Sequence, residues 1–189
     1  MDKIDAIKKR NLEGFKTLEE EKRKAYELCK EFNEASPYDK EKKNQIFKQL
    51  VTNSGKDLVI EGPIRIERGT QLTVGNNTFI NYNFACIDYA PVKIGANVYI
   101  GPNCSIYTQG HALLAEERKK HLGYAKPVTI GENSWLGGNV IVLPGVTIGD
   151  KCVVGAGSVV TKDIPSGYLA AGNPCKPIRK ISKKDSLLN

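Results

Sequence analysis

The chain has 189 residues, with 28 Lys or Arg against 21 Asp or Glu and a formal net charge of +7 at pH 7. That length suits one main domain with a small appendage. The first thirty residues are charged throughout and no apolar run approaches the roughly 20 residues of a membrane span, so neither a secretory leader nor a membrane-bound protein is expected.

Five cysteines, Cys29, Cys86, Cys104, Cys152 and Cys175, form no CxxC pair and are odd in number. A reduced, cytoplasmic setting is expected, without structural disulfide or metal site. The basic excess is spread along the chain and densest in "PCKPIRKISKKD" after Asn173. It reads either as solvated surface or as a site for an anionic small molecule. No aromatic-basic platform accompanies it, so nucleic acid is not an expected partner.

Residues 1–56 read as a helical segment. In "TLEEEKRKAYELCKEF", Thr17 and Glu20 form a capping box, and Leu18, Ala25, Leu28, Cys29 and Phe32 keep to one stripe. In "SPYDKEKKNQIFKQLV", Ser36 is the expected N-cap and Pro37 the first helical residue, with Ile46, Phe47, Leu50 and Val51 on one face.

Residues 57–172 count in sixes. Ile60, Ile66 and Leu72 fall six apart; after a slip of two come Val74, Ile80 and Cys86; after another, Ile94, Ile100 and Ile106. Beyond an interruption the anchors are Ile130, Leu136, Val142, Ile148, Val154 and Val160. Glycine follows several of them, as in "IGANVY" and "LGGNVI", and is expected to relieve a tight corner where a β-carbon would crowd a backbone at unusual dihedral angles. Val98, Cys104, Val140, Val146, Cys152 and Ser158 follow their anchors by four. A hexapeptide period predicts a mainly β fold, a parallel β-helix with three sixes to each triangular coil and every anchor inside. Cys86, Cys104 and Cys152 are then small packing residues.

The interruption, a loop over 112–127 rich in Glu, Arg and Lys, reads as chain thrown out of the coil. His111 stands at its root and His121 within it, and these are the two histidines of the protein. A fixed yet accessible root suits a functional group. His121 reads as a solvated loop residue, and residues 173–189 as a basic C-terminal tail.

The front segment ending "CKEFNEASP", the motifs "NYNF", "YTQGH…EER…KPVTIG" and "GGNVIVLPGVTIG", and the closing "AAGNPCKPIR" together resemble the hexapeptide-repeat acyltransferases. Within them the likeness is to the maltose and galactoside O-acetyltransferases. The resemblance implies a left-handed coil and a homotrimer using acetyl-CoA, with active sites between neighbouring subunits and no metal. It implies His111 as the general base, removing a proton from an acceptor hydroxyl, and Asn81 as the residue that orients the acceptor. A neutral imidazole suits that task, with an unperturbed pKa near ~6.5.

For acetyl-CoA the resemblance implicates Gly138, through its backbone N–H, with Ala156, Thr161, Lys162, Lys176 and Arg179; Lys176 stands where relatives often carry arginine. For the acceptor it implicates Glu13, Glu67, Asn81, Asn83, Asp88 and Tyr89. Three of these depart from the family: Glu13 matches an aspartate loosely, Glu67 replaces a serine and Tyr89 an acid. The expected activity is transfer of acetyl to a hydroxyl of a sugar such as maltose, glucose or a galactoside. A non-sugar or xenobiotic acceptor, or a β-helix serving as a non-catalytic scaffold, are the alternatives. A metal-dependent hydratase on this fold would need three histidine ligands.

Overall fold

Each buried anchor along the chain sits on the one a coil before it, and this stacking sets the architecture. The computed structural model describes residues 12–188, with side chains from residue 16. Five coils of short strands run 53–66, 72–87, 92–107, 128–142 and 147–160, and their strands pair in parallel on three faces. The first face holds Asn53–Ser54, Leu72–Val74, Val92–Ile94, Val128–Ile130 and Thr147–Ile148. The second begins at Val59–Ile60 and passes through Phe79–Ile80, Tyr99–Ile100, Trp135–Leu136 and Val153–Val154. The third begins at Ile64–Ile66 and ends at Val159–Val160. The chain then closes on the second face with Tyr168–Gly172 and turns back antiparallel as Cys175–Lys180. The basic tail is thus partly a strand, followed by a single turn at Lys183–Asp185.

All the anchors from Ile60 to Val160 are buried, as are Val98, Cys104, Val140, Val146, Cys152 and Ser158. Burying one aliphatic side chain contributes roughly 1.5–3 kcal/mol before conformational entropy is set against it. The core is therefore a column of nearest-neighbour contacts with no single centre. All five cysteines are buried and free, and Cys86, Cys104 and Cys152 lie within this column.

The coil lengths explain the slips in the count. Ser54 pairs with Val74, and Val74 with Ile94, twenty residues on each time. Ile130 pairs with Ile148, eighteen on, whereas Ile94 pairs with Ile130 across thirty-six. The two extra residues of the early coils, and the whole interruption, lie on the edge between the third face and the first. Leu72 opens the next coil there, with Val74 taking the register position.

The glycines that follow anchors do relieve the expected crowding of a backbone, but not at unusual dihedral angles. Gly75, Gly95, Gly101, Gly131, Gly137, Gly149 and Gly155 all lack positive φ. The positive-φ residues come two positions later: Asn77, Asn97 and Asn133 on one edge, Asn83, Asn103 and Asn139 on the next. Close stacking is what demands glycine. A Cβ on Gly131 would stand 2.5 Å from the backbone of Gly149 and Asp150, and one on Gly75 2.4 Å from Ala96 N.

Two helices close the top of the prism, α1 (Leu12–Glu34) and α2 (Lys40–Leu50). The sequence put the start of α1 at Thr17, but the helix already runs through that residue. The cap of α2 is Asp39, whose side chain accepts from Lys42 N; the Ser36 hydroxyl accepts from Tyr38 N outside the helix. Helix α1 lies on Ile64–Ile66. Asn33 Nδ2 donates to Ile64 O at 3.0 Å while Ile64 N donates to Asn33 Oδ1 at 2.8 Å. No described helix is long and apolar enough to cross a membrane.

Candidate active site

The interruption has regular structure of its own. Gln109–His111 pairs antiparallel with Gly123–Ala125, and a third short helix, α3 (Ala115–Lys119), caps the arm they form. His111 pairs with Gly123 and is exposed. Gly110 leaves room for the Tyr124 ring, whose far end would stand 2.4 Å from a Cβ there. Leu113, Leu114, Leu122, Tyr124 and Pro144 line an open groove of about 460 Å³ beneath the arm. His121 lies at the turn with φ of 56°.

Strand register divides the candidate residues between two edges of the prism. The edge between third and first faces carries Glu67, Tyr89 and His111 on successive coils, then Thr161 and Lys162. Tyr89 donates its hydroxyl proton to Glu67 Oε1 at 3.4 Å, and Lys22 Nζ of α1 stands 3.7 Å from the same oxygen. Burial raises the Tyr89 phenol, opposed by Lys22, so it remains a protonated donor at neutral pH. Beside it the Arg68 guanidinium holds Glu21 at 2.6 and 2.8 Å. Lys22, Glu21 and Arg68 were not singled out from sequence; only the docking of α1 on the third face brings them here.

The edge between second and third faces carries Asn81 and, on lower coils, Gly138 and Ala156. Asn81 Oδ1 accepts from Tyr82 N at 2.8 Å and the residue is half-buried. Among the described residues the Gly138 N–H meets no acceptor, while its carbonyl accepts from Gly157. Below them Gly155 backs onto Ala171, which pairs with Lys176. Lys176 therefore continues this edge. Arg179 is exposed and already engaged: Nη1 and Nη2 hold both oxygens of Asp185 at 2.9 and 2.5 Å. The hydrogen bond from Arg179, helped by the Ser182 amide, lowers the Asp185 carboxyl to about 2.

Two expected acceptor residues have other work. Asp88 is fully buried, with Oδ1 accepting from Arg68 N at 2.8 Å and Oδ2 from Gln71 N at 3.3 Å. Burial raises its carboxyl and these backbone donors oppose that shift. It caps the corner of the coil above and presents nothing to a ligand. Asn83 is a rung of a ladder, its Nδ2 donating to Asn103 Oδ1 at 2.9 Å from a residue at φ of 58°. The signal was in the sequence: asparagine recurs three places after Ile80, Ile100 and Leu136, and Asn81 falls outside that rule. The Glu13 side chain lies outside the described residues. Among the described residues no group of three or more His, Cys, Asp or Glu gathers as metal ligands would.

Residues 14–55 match the maltose acetyltransferase hexapeptide capping motif, and 127–162 the hexapeptide repeat of succinyl-transferase. The galactoside O-acetyltransferase of Escherichia coli K12 is 40% identical over 168 residues, 89% of this chain and 83% of that one. Among solved structures, a maltose O-acetyltransferase from Clostridium difficile 630 is 43% identical, with a TM-score of 0.86 over 88% of this chain and 89% of that one. A galactoside acetyltransferase in complex with coenzyme A is 38% identical, with a TM-score of 0.89 over 95% and 88%.

Proposed function

The chain belongs to the maltose and galactoside O-acetyltransferase family of hexapeptide-repeat acyltransferases, and from that premise we propose that it acetylates a sugar hydroxyl using acetyl-CoA. The observation that carries this reading is His111: an exposed imidazole on a backbone-paired strand, one coil beyond Tyr89 on the same edge. Acetyl-CoA supplies the acetyl group as a thioester. His111 takes the proton from the acceptor hydroxyl as its oxygen attacks the thioester carbonyl; the C–S bond then breaks, and the coenzyme A sulfur leaves as a thiol with the proton His111 returns. A base so placed contributes roughly 10²- to 10⁴-fold. Asn81 orients the acceptor. The unengaged Gly138 N–H donates to the oxygen that gains charge, a contribution of about 10²- to 10³-fold. Ala156, between glycines, leaves a smooth edge for a thin chain, and Thr161, Lys162 and Lys176 supply a hydroxyl and cations for its phosphates, joined by Arg179 where a phosphate displaces Asp185 from it.

Glu67 and Tyr89 line the acceptor side. Glu67 is occupied by Lys22 and Tyr89, so it offers a hydrogen-bonding wall and not a free anion for an ammonium group. This favours a neutral hydroxyl over an amine. The family resemblance assigns Glu13 to the acceptor as well, with its side chain outside the described residues.

The two edges are separated by the width of the third face, so His111 and Asn81 of one subunit serve different sites. We infer a homotrimer in which the His111 edge of one subunit meets the Asn81 edge of its neighbour. The outward column of the second face supports this assembly, since Tyr99 and Trp135 are 58% and 54% exposed in the single chain. The five buried thiols suit a reducing cytoplasm.

Substitution of His111 by Ala is expected to lower kcat by at least about 10²-fold and leave the acetyl-CoA KM within about twofold. Thiol release measured on a panel of sugars and amines reads both the base and the acceptor. A fully active His111→Ala enzyme would refute the assignment.

A further inference from the structure

We propose that Thr108 is a positioning residue that fixes His111 relative to Tyr89, an inference that rests on the site described above. Thr108 is fully buried and stands on the corner of the third coil, directly before the strand that carries His111. Its hydroxyl works in both directions, accepting from Ala90 N at 3.0 Å and donating to Ile87 O at 2.7 Å. Ile87 and Ala90 flank the corner from which Tyr89 emerges. The backbone of Thr108 completes the node, its N–H donating to Ile87 O at 3.0 Å and its carbonyl accepting from Lys126 N at 2.8 Å. One side chain thus binds both ends of the Tyr89 corner, while its own backbone anchors the outgoing and returning strands of the His111 arm.

A hydroxyl used in this way recurs in the fold but not on every coil. On the edge between first and second faces Thr78 and Ser134 make the same pair of bonds, each hydroxyl donating to a carbonyl and accepting an amide from the next coil. Val98 and Cys152 hold the equivalent places on alternate coils. Valine is therefore tolerated within such a column. At Thr108 the two bonds lead to the only described stretch where the coil throws out an arm. Their loss leaves the Ala90 N–H unpaired in a buried corner and frees the Tyr89 segment to shift against His111. Displacements of about 1 Å between reacting groups can cost up to ~10²-fold in rate.

Thr108→Val is expected to fold and assemble, keep the acetyl-CoA KM within about twofold, and lose about tenfold or more in kcat. Thr108→Ser, which keeps both bonds, is expected to return kcat to within about threefold of the parent. Thr108→Cys, of similar size but a weak donor and acceptor, is expected to fall between and serves if the valine variant does not fold. A valine variant with parental kcat, whatever its melting temperature, overturns the proposal; so does a serine variant as slow as the valine one. Failure of the underlying site is read separately: a fully active His111→Ala enzyme refutes the base, whereas an inactive one beside an active Thr108→Val enzyme refutes only the role of Thr108.

Discussion

At the corners of the coil, glycine and asparagine meet two different demands. Gly131 is forced by the backbone of the next coil, 2.5 Å from where its Cβ would be, while Gly157 has nothing within 4 Å of that point but sits at φ of 72°. Gly157 also occupies the place that Asn83, Asn103 and Asn139 hold on earlier coils. Gly131→Ala should therefore destabilise the fold by about 1–3 kcal/mol, as overpacking does. Gly157→Asn should change stability by less than about 0.5 kcal/mol. Urea unfolding of both variants checks the pair; a neutral Gly131→Ala would remove the close-stacking explanation. The sequence carried the ladder as a strict interval, which Asn83 keeps and Asn81 does not, and the positive φ of Asn83 gives that interval its physical reason. Asp88 was opaque, because a carboxylate capping buried amides and one facing a sugar leave the same letter.

Helix α1 covers the start of the third face, where Ile64–Ile66 would otherwise present an unpaired strand edge. Asn33 meets both backbone groups of Ile64 as a neighbouring strand would, and Cys29 adds a weaker contact to Ile66. Asn33→Ala should cost about 1–3 kcal/mol by leaving two partly buried groups unpaired, and should promote edge-to-edge aggregation on warming. Thermal unfolding followed by light scattering tests both effects, and an unchanged, non-aggregating variant would rule out this capping role. The helical stripe of α1 was legible because Ala25, Leu28, Cys29 and Phe32 all face the core. Its start was not, since a capping-box pattern inside a continuous charged helix has no stop signal before it. The arm around His111 was read as loop for a related reason. Its strands pair only through backbone and stand off the core, so no alternation of apolar residues marks them.

For the whole molecule, anchor periodicity foretold the prism, but the division of the site between edges depends on coil length. Twenty residues per early coil and eighteen per later one keep Tyr89 and His111 on one edge and Asn81 and Gly138 on another. If each active site joins the His111 edge of one subunit to the Asn81 edge of the next, two crippled subunits can complement each other. A His111→Ala subunit retains Asn81, and an Asn81→Ala subunit retains His111. In trimers assembled at random from equal amounts, about one interface in four pairs an intact His111 with an intact Asn81. Refolding the two inactive variants together should therefore restore about a quarter of the parental rate, while each refolded alone stays inactive. A mixture that remains as inactive as its components, with mixed trimers verified by mass, would mean that a single subunit holds both groups of one site. The edge assignment would then have to yield to an arm that carries His111 back across its own third face.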